Sequence, residues 1–357
     1  MKLKTKEEAI QQFDPNGVGA LGRLFGLPFG PEHANIVIIP VPWEVTVSYG
    51  AGTAQGPEAI LQASPQLDLY QPDIADAWKM GISMLPIPQQ LLERSNALRE
   101  KSKLYIEALE NQNVAEQPTE VQQVPALVNA AAGEMCDWVQ AQAEQLLETG
   151  KIPAVLGGDH STPLGLMRAL ASHHKDGFGI LQVDAHADLR IAYEGFSYSH
   201  ASIMYNALQV EGITKLVQVG IRDICGEEVE VARKNSTRVN IFYDRYLKQE
   251  AYKGKSWHML VAEIIEQLPD KVYISFDIDG LDPKLCPGTG TPVPGGFEYE
   301  QAMYLIEAVV RSGKTIVGFD LCEVAPGESE WNGNVGARVL YRMANLAGVS
   351  QGLLTLD

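Results

Sequence analysis

The chain has 357 residues, 45% hydrophobic and 20% charged, with 33 glycines and 20 prolines. That composition excludes a disordered tail protein, a collagen-like rod and a coiled coil. Its 28 lysines and arginines stand against 45 aspartates and glutamates, a net charge of −17, so nucleic acid is not an expected partner and small cations or metal ions suit the chain better.

Residues 1–34 are punctuated by glycine and proline with little periodicity, and read as an N-terminal extension that wraps over a neighbour or a subunit. The run from Asn35 to Pro42 carries branched side chains on both faces, as a buried parallel strand does. Residues 90–125 are polar, with Leu98, Leu104, Tyr105 and Leu109 as the main anchors, and predict an insertion or a surface helix. Val128, Ala132, Met135, Val139 and Leu146 predict a helix over 128–147, stopped by Gly150. Strands are predicted at 152–156, 178–183, 215–221, 239–243, 271–276 and 315–319. Helices are predicted at 162–172, after a Ser256 cap, at 298–312 and near 335–346. This alternation argues an α/β fold, a mostly parallel sheet with helices on both faces, and one domain over 35–357.

Cys136, Cys225, Cys286 and Cys322 are scattered and form no CxxC pair, which predicts reduced thiols. The charged start lacks the apolar core of a signal peptide, and no apolar run reaches the roughly 18–20 residues that span a bilayer. The expectation is a soluble, cytoplasmic protein with no membrane partner.

The polar residues collect where predicted strands end. These ends read Gly157-Gly158-Asp159-His160, then Asp184-Ala185-His186-Ala187-Asp188, then Asp277-Ile278-Asp279, then Asp320-Leu321-Cys322-Glu323. Ligands of open α/β sheets bind in the crevice outside these ends. In extended backbone, residues two apart point to one side, so Asp184, His186 and Asp188 can converge, as can Asp277 and Asp279. With His160 they offer four carboxylates and two imidazoles, a mixture suited to Mn, Fe, Co or Ni rather than to a closed thiolate zinc site. Four aspartates balance two divalent ions; one ion would leave crowded carboxylates unpaired. An EF-hand is excluded, because it needs Gly at position six and Glu at position twelve. Counted from Asp184 those positions hold Leu189 and Gly195, and from Asp277 they hold Asp282 and Gly288. His33, His173, His174 and His258 have no motif around them.

These motifs, together with Ser275 to Pro283 and Gly318 to Val324, resemble the ureohydrolase superfamily of arginases, agmatinases and their relatives, over roughly residue 35 to the C-terminus. The resemblance implies a three-layer α/β/α fold, two divalent metal ions per subunit, and a homotrimer or homohexamer. It implies that His160, Asp184, Asp188 and Asp277 hold one ion, and that His186, Asp184, Asp277 and Asp279 hold the other. Glu323 matches the acid that grips a substrate guanidinium, and His200 the histidine that shuttles protons.

A guanidinium carbon is a poor electrophile, so its hydrolysis needs a strong nucleophile in place. Water shared by two cations ionises readily, and the expected reaction is attack by a bridging hydroxide aimed by Asp188. Glu323 fixes the cation and His200 relays a proton to the leaving nitrogen, releasing urea. The loops depart from the commoner agmatinase and arginase patterns. The N-terminal loop reads Ser48 to Thr53, Ala201 follows His200, and the bulky stretch Ile191 to Phe196 follows Asp188. With Trp331 expected to close the pocket, the chain looks similar to bacterial guanidine hydrolases. That branch uses nickel, and metal-delivery accessory proteins would accompany it. The alternative is agmatine or another guanidino-amine or guanidino-acid with manganese, a distal ammonium being held by Glu194 or a neighbouring acid. A one-zinc deacetylase-like amidohydrolase would instead need a catalytic tandem His pair, and a noncatalytic binding protein would tolerate loss of ligands.

Overall fold

Strands that are apolar on both faces need cover on both sides, and the sheet supplies this. In the computed structural model, which describes residues 5–357, eight strands form one sheet: β1 (Ile36–Val41), β2 (Ile82–Met84), β3 (Ile152–Gly157), β4 (Phe178–Val183), β5 (Ile213–Ile221), β6 (Val239–Tyr243), β7 (Lys271–Asp277) and β8 (Thr315–Cys322). Their order is β2-β1-β3-β8-β7-β4-β5-β6, and every pairing is parallel.

Alternate residues of a strand feed two separate cores. Leu181 and Val183 join one apolar cluster with helices Trp257–Ile265, Tyr299–Arg311 and Trp331–Ser350. Phe178 and Ile180 join the other with helices Val124–Glu148 and Leu164–His173. The result is a three-layer α/β/α arrangement. Among the described residues, no helix is long and apolar enough to cross a membrane, and all four cysteines are free.

The expected strands are present, and Ser256 caps its helix by accepting from the Met259 N–H. β2 has no counterpart in the sequence reading, because a three-residue edge strand is too short to show a pattern. Residues 90–125 fold mainly as the helix Gln89–Glu110, packed against Val124–Glu148. Two of the expected anchors are corrected: Leu98 and Tyr105 are buried, but Leu104 and Leu109 face outward. The buried stripe runs Ser95, Leu98, Ser102, Tyr105 and Ile106. Its two serines hide the helical period from a count of apolar residues.

Of the predicted N-terminal extension, residues 1–4 lie outside the described residues. Leu24, Phe25, Leu27 and Phe29 are buried in the first of the two cores, with the Phe25 ring edge-on to Tyr341 at 4.9 Å.

Close backbone packing sets the end of β3. Gly158 donates to Val41 O, and Asp159 N–H to Trp43 O at 2.9 Å. A Cβ on Gly158 would lie 2.1 Å from Trp43 O. Gly158→Ala must therefore push the Asp159–His160 turn away from β1, and is expected to cost about 1–3 kcal/mol. Urea denaturation followed by circular dichroism would measure this.

Candidate metal centre and active site

The neighbours β3, β8, β7 and β4 end side by side, and the four motifs meet there. His160 follows β3, Asp184 follows β4, Asp277 closes β7 and Glu323 follows β8. His160 Nδ1 lies 3.0 Å from Asp184 Oδ2, 3.1 Å from Asp188 Oδ2 and 3.3 Å from Asp277 Oδ2. His186 Nδ1 lies 3.1 Å from Asp279 Oδ2 and 3.6 Å from Asp184 Oδ1. Asp184 thus turns one oxygen toward each imidazole. Asp188 reaches the cluster from a left-handed backbone conformation, φ 53°, which lets the chain double back after β4.

Backbone N–H groups aim the carboxylates. His186 N–H donates to Asp184 Oδ1 at 2.6 Å, Ala185 N–H to Asp279 Oδ1 at 3.0 Å, and Asp279 N–H to Asp277 Oδ1 at 2.9 Å. The remaining oxygens face one another. Burial, with Asp279 and Asp184 beside it, raises the Asp277 carboxyl well above the usual range. Burial works against a charged His186, yet the carboxylates of Asp279 and Asp184 push its ring up to about 12.

Four carboxylates face only two imidazoles here, and that excess of acid is a test of the cluster's fitness for cations. His160 Nδ1 is buried among three carboxylate oxygens without a properly directed hydrogen bond. The sets His160–Asp184–Asp188 and Asp184–His186–Asp279 each bring one donor atom per residue within 4.8 Å of the others. Asp184 belongs to both. Carboxylate and imidazole donors of this kind fit divalent transition metals. A third group, His160–Asp320–Cys322, lies at the other ring nitrogen. There Ser275 Oγ sits 2.9 Å from His160 Nε2, and the Tyr273 hydroxyl donates to Asp320 Oδ2 at 2.7 Å. That side orients the ring rather than opening to a ligand.

Glu323 is buried beside the cluster in a left-handed conformation, φ 65°. Its Oε1 accepts from the His160 N–H at 2.9 Å, whereas Oε2 has no partner. Burial, then Asp277 and Asp159, raises its carboxyl well above the normal range. The Gly290 backbone passes so close that a Cβ there would lie 2.8 Å from Oε2.

A cavity of about 310 Å³ opens over His186 and Asp188, and His200 and Tyr193 form part of its wall. The Tyr193 ring stands edge-on to His200, with the Arg190 guanidinium 4.8 Å above its face. Burial, with His186 and His160 nearby, lowers the His200 ring to about 3, so it is neutral. Ile224, Cys225 and the exposed Asp223 also line the cavity, and Asp223 pairs with His186 in an isolated bridge.

Of the sequence-predicted residues, His186, Asp188 and His200 line this cavity, and His160, Asp184, Asp277, Asp279 and Glu323 belong to the adjoining cluster. Trp331 does not line the cavity; it is half exposed on the first turn of the last helix. Glu194 is also off the cavity wall, half-buried at the turn after Tyr193. Sequence reasoning missed Gln182, whose amide donates to Asp184 Oδ2 at 2.7 Å. The available signal was a glutamine inside an otherwise apolar strand. His173 and His174 precede β4, at the opposite edge of the sheet, so the tandem pair of a deacetylase-like site is not formed.

Residues 34–345 match the family model described as the Arginase family. The chain belongs to the arginase family. An N(1)-aminopropylagmatine ureohydrolase of Thermus thermophilus is 35% identical over 94% of this chain and 98% of its own length. An agmatinase of Bacillus subtilis is 27% identical over 87% of this chain and 91% of its own length. Among solved structures, an agmatine ureohydrolase of Thermoplasma volcanium superposes with a TM-score of 0.68 at 24% identity, covering 96% of this chain and 97% of the other. At that identity the superposition supports the fold alone.

Asp277→Asn removes a charge where three carboxylates and His160 converge. It is expected to lower the bound divalent metal per subunit while the fold persists, as measured by elemental analysis after dialysis and by circular dichroism.

Proposed function

We propose that this arginase-family hydrolase binds two divalent ions and cleaves a guanidino C–N bond to release urea. His160, Asp184, Asp188 and Asp277 would hold the first ion, and His186, Asp184, Asp277 and Asp279 the second. When bound, such ions supply a water acidic enough to serve as a nucleophile near neutral pH.

The chain's own groups do the rest. Glu323 offers a buried, unpaired Oε2, which receives two N–H groups of a planar guanidinium and holds its carbon facing the cluster. Gly290 leaves the slot beside that oxygen open. Asp188 accepts the nucleophile's proton and keeps its lone pair on the carbon. His200, neutral and on the same cavity wall as Asp188, relays that proton to the departing nitrogen, which leaves as a neutral amine or ammonia, and is neutral again afterwards.

The substrate we favour is a guanidino-amine such as agmatine or aminopropylagmatine, with manganese. One observation carries this reading. The cavity is lined by Asp188 and His186 and also by Ile224, Cys225 and the exposed Asp223, whose backbone pairs with that of His186. An apolar wall with a second acid beside the cluster suits a substrate that carries an alkyl chain and an ammonium as well as a guanidinium. The curated relatives named for such substrates agree. Free guanidine, ranked first on sequence, is the second reading. The stacked Arg190 and Tyr193 narrow the space beside His200 and favour it, and nickel with its delivery proteins would belong to it. Trp331, expected to seal a small pocket, gives this reading no support within one chain, since it does not line the cavity. A trimer or hexamer in the cytoplasm belongs to either reading.

Urea release from guanidine, agmatine, aminopropylagmatine, guanidinobutyrate and arginine, with manganese and with nickel, tests the choice. The favoured reading expects the amines to be turned over fastest; turnover of guanidine alone would overturn it. His200→Ala is expected to reduce kcat by about 10²- to 10⁴-fold while metal content stays unchanged. Glu323→Gln is expected to lower kcat/KM by about 10- to 100-fold, the worth of one hydrogen bond to a charged group. Steady-state kinetics with metal analysis check both.

A further inference from the structure

Beneath the ligand cluster lies a row of buried polar side chains. In sheet register, Gln218 of β5 pairs with Gln182 of β4, Gln182 with Ser275 of β7, and Ser275 with Asp320 of β8. All four are fully buried, one level below the strand ends and on the face otherwise occupied by Ile180, Leu216 and Tyr273. An apolar residue in any of these positions would satisfy the core. A polar one must be hydrogen-bonded or it destabilises the fold.

The two glutamines are directional. Gln182 Nε2 donates to Asp184 Oδ2 at 2.7 Å and to His186 O at 3.2 Å. Gln218 Nε2 donates to Gln182 Oε1 at 2.6 Å and to Ala187 O at 2.6 Å. A carboxylate only accepts, so Gln182 must present its NH₂ to Asp184 and its carbonyl to Gln218. Gln218 spends both donors in this way, and its own Oε1 is left buried without a partner. A pair kept only for stability would not leave that oxygen unsatisfied. The bonds fix the carboxylate plane of Asp184, a torsion otherwise soft, and pin the backbone of the loop that carries His186.

We infer that Gln182 and Gln218 form a positioning relay for the metal centre, acting through Asp184 and the His186 loop. The inference rests on the two-ion reading above. Asp184, like Asp277, is shared by both proposed ligand sets, so a loss of its orientation weakens both, and slack in the His186 loop weakens the second further.

The test uses full-length protein stripped of metal, titrated with Mn(II) against a chelating indicator, with thermal unfolding of the same metal-free samples. Gln182→Leu is expected to weaken binding by about 10- to 100-fold, the usual effect of losing an outer-shell partner, with an unfolding temperature equal to or above that of the parent. Gln218→Leu, which frees Gln182 to turn, is expected to weaken binding in the same direction and less. In the cobalt-loaded protein, both are expected to alter the visible absorption bands, which report ligand geometry. Parental affinity and spectrum in either folded variant would overturn the relay while leaving the two-ion reading intact. Failure of the parent itself to bind manganese or cobalt would overturn both. If Gln182→Leu does not fold, Gln218→Leu decides alone.

Discussion

The structure depends on the mutual repulsion of acids held where they cannot separate. Asp184, Asp188, Asp277 and Asp279 are buried together at the ends of two adjacent strands and the turns that follow them, with Glu323 close by. Asp184, Asp277, Asp279 and Glu323 each accept a backbone N–H, and the oxygens left over crowd together with the Asp188 carboxylate around His160 and His186. Only two imidazoles stand among them. In a low-dielectric crevice such an arrangement persists by taking up protons or cations. The donor set, with oxygens and ring nitrogens converging in two overlapping groups around Asp184, has the composition that suits the second.

A parallel sheet is the scaffold that can bear this load. Its central strands are covered on both faces and hydrogen-bonded on both edges, so the strand ends have little freedom. Close backbone contacts, such as that of Gly158 with Trp43 O, set the height of each turn. Below the ends, the polar row from Gln218 to Asp320 replaces apolar packing at one level of one face. It gives the ligands a second layer of directed hydrogen bonds. The two arms of the row address different ligands: Ser275 and Asp320 face His160 Nε2, while the glutamines face Asp184 and the His186 loop.

The cavity wall mixes charged and apolar groups. His186, Asp188 and His200 line it together with Ile224, Cys225 and the exposed Asp223, and Glu323, with its open oxygen, belongs to the adjoining cluster. The Arg190 guanidinium lies over the Tyr193 face on the same wall.

The ligand motifs were legible in the chain because they are local. Asp184, His186 and Asp188, or Asp277 and Asp279, are two residues apart, and the pleat alone puts such residues on one side. The strands were legible for the same reason, as runs of branched residues. β2 was not, being too short; the helix Gln89–Glu110 was read as an insertion or a surface helix, but the serines in its buried stripe hid which face packs inward. The relation between Gln182 and Gln218 could not be seen either, since it exists only through the register of β4 on β5. Likewise Trp331 follows Glu323 by a few residues, yet the turn between them carries it off the cavity, while Asp223, remote in sequence, reaches the rim. Spacing along a strand determines which residues can share a face; only the order and register of strands decide which faces meet.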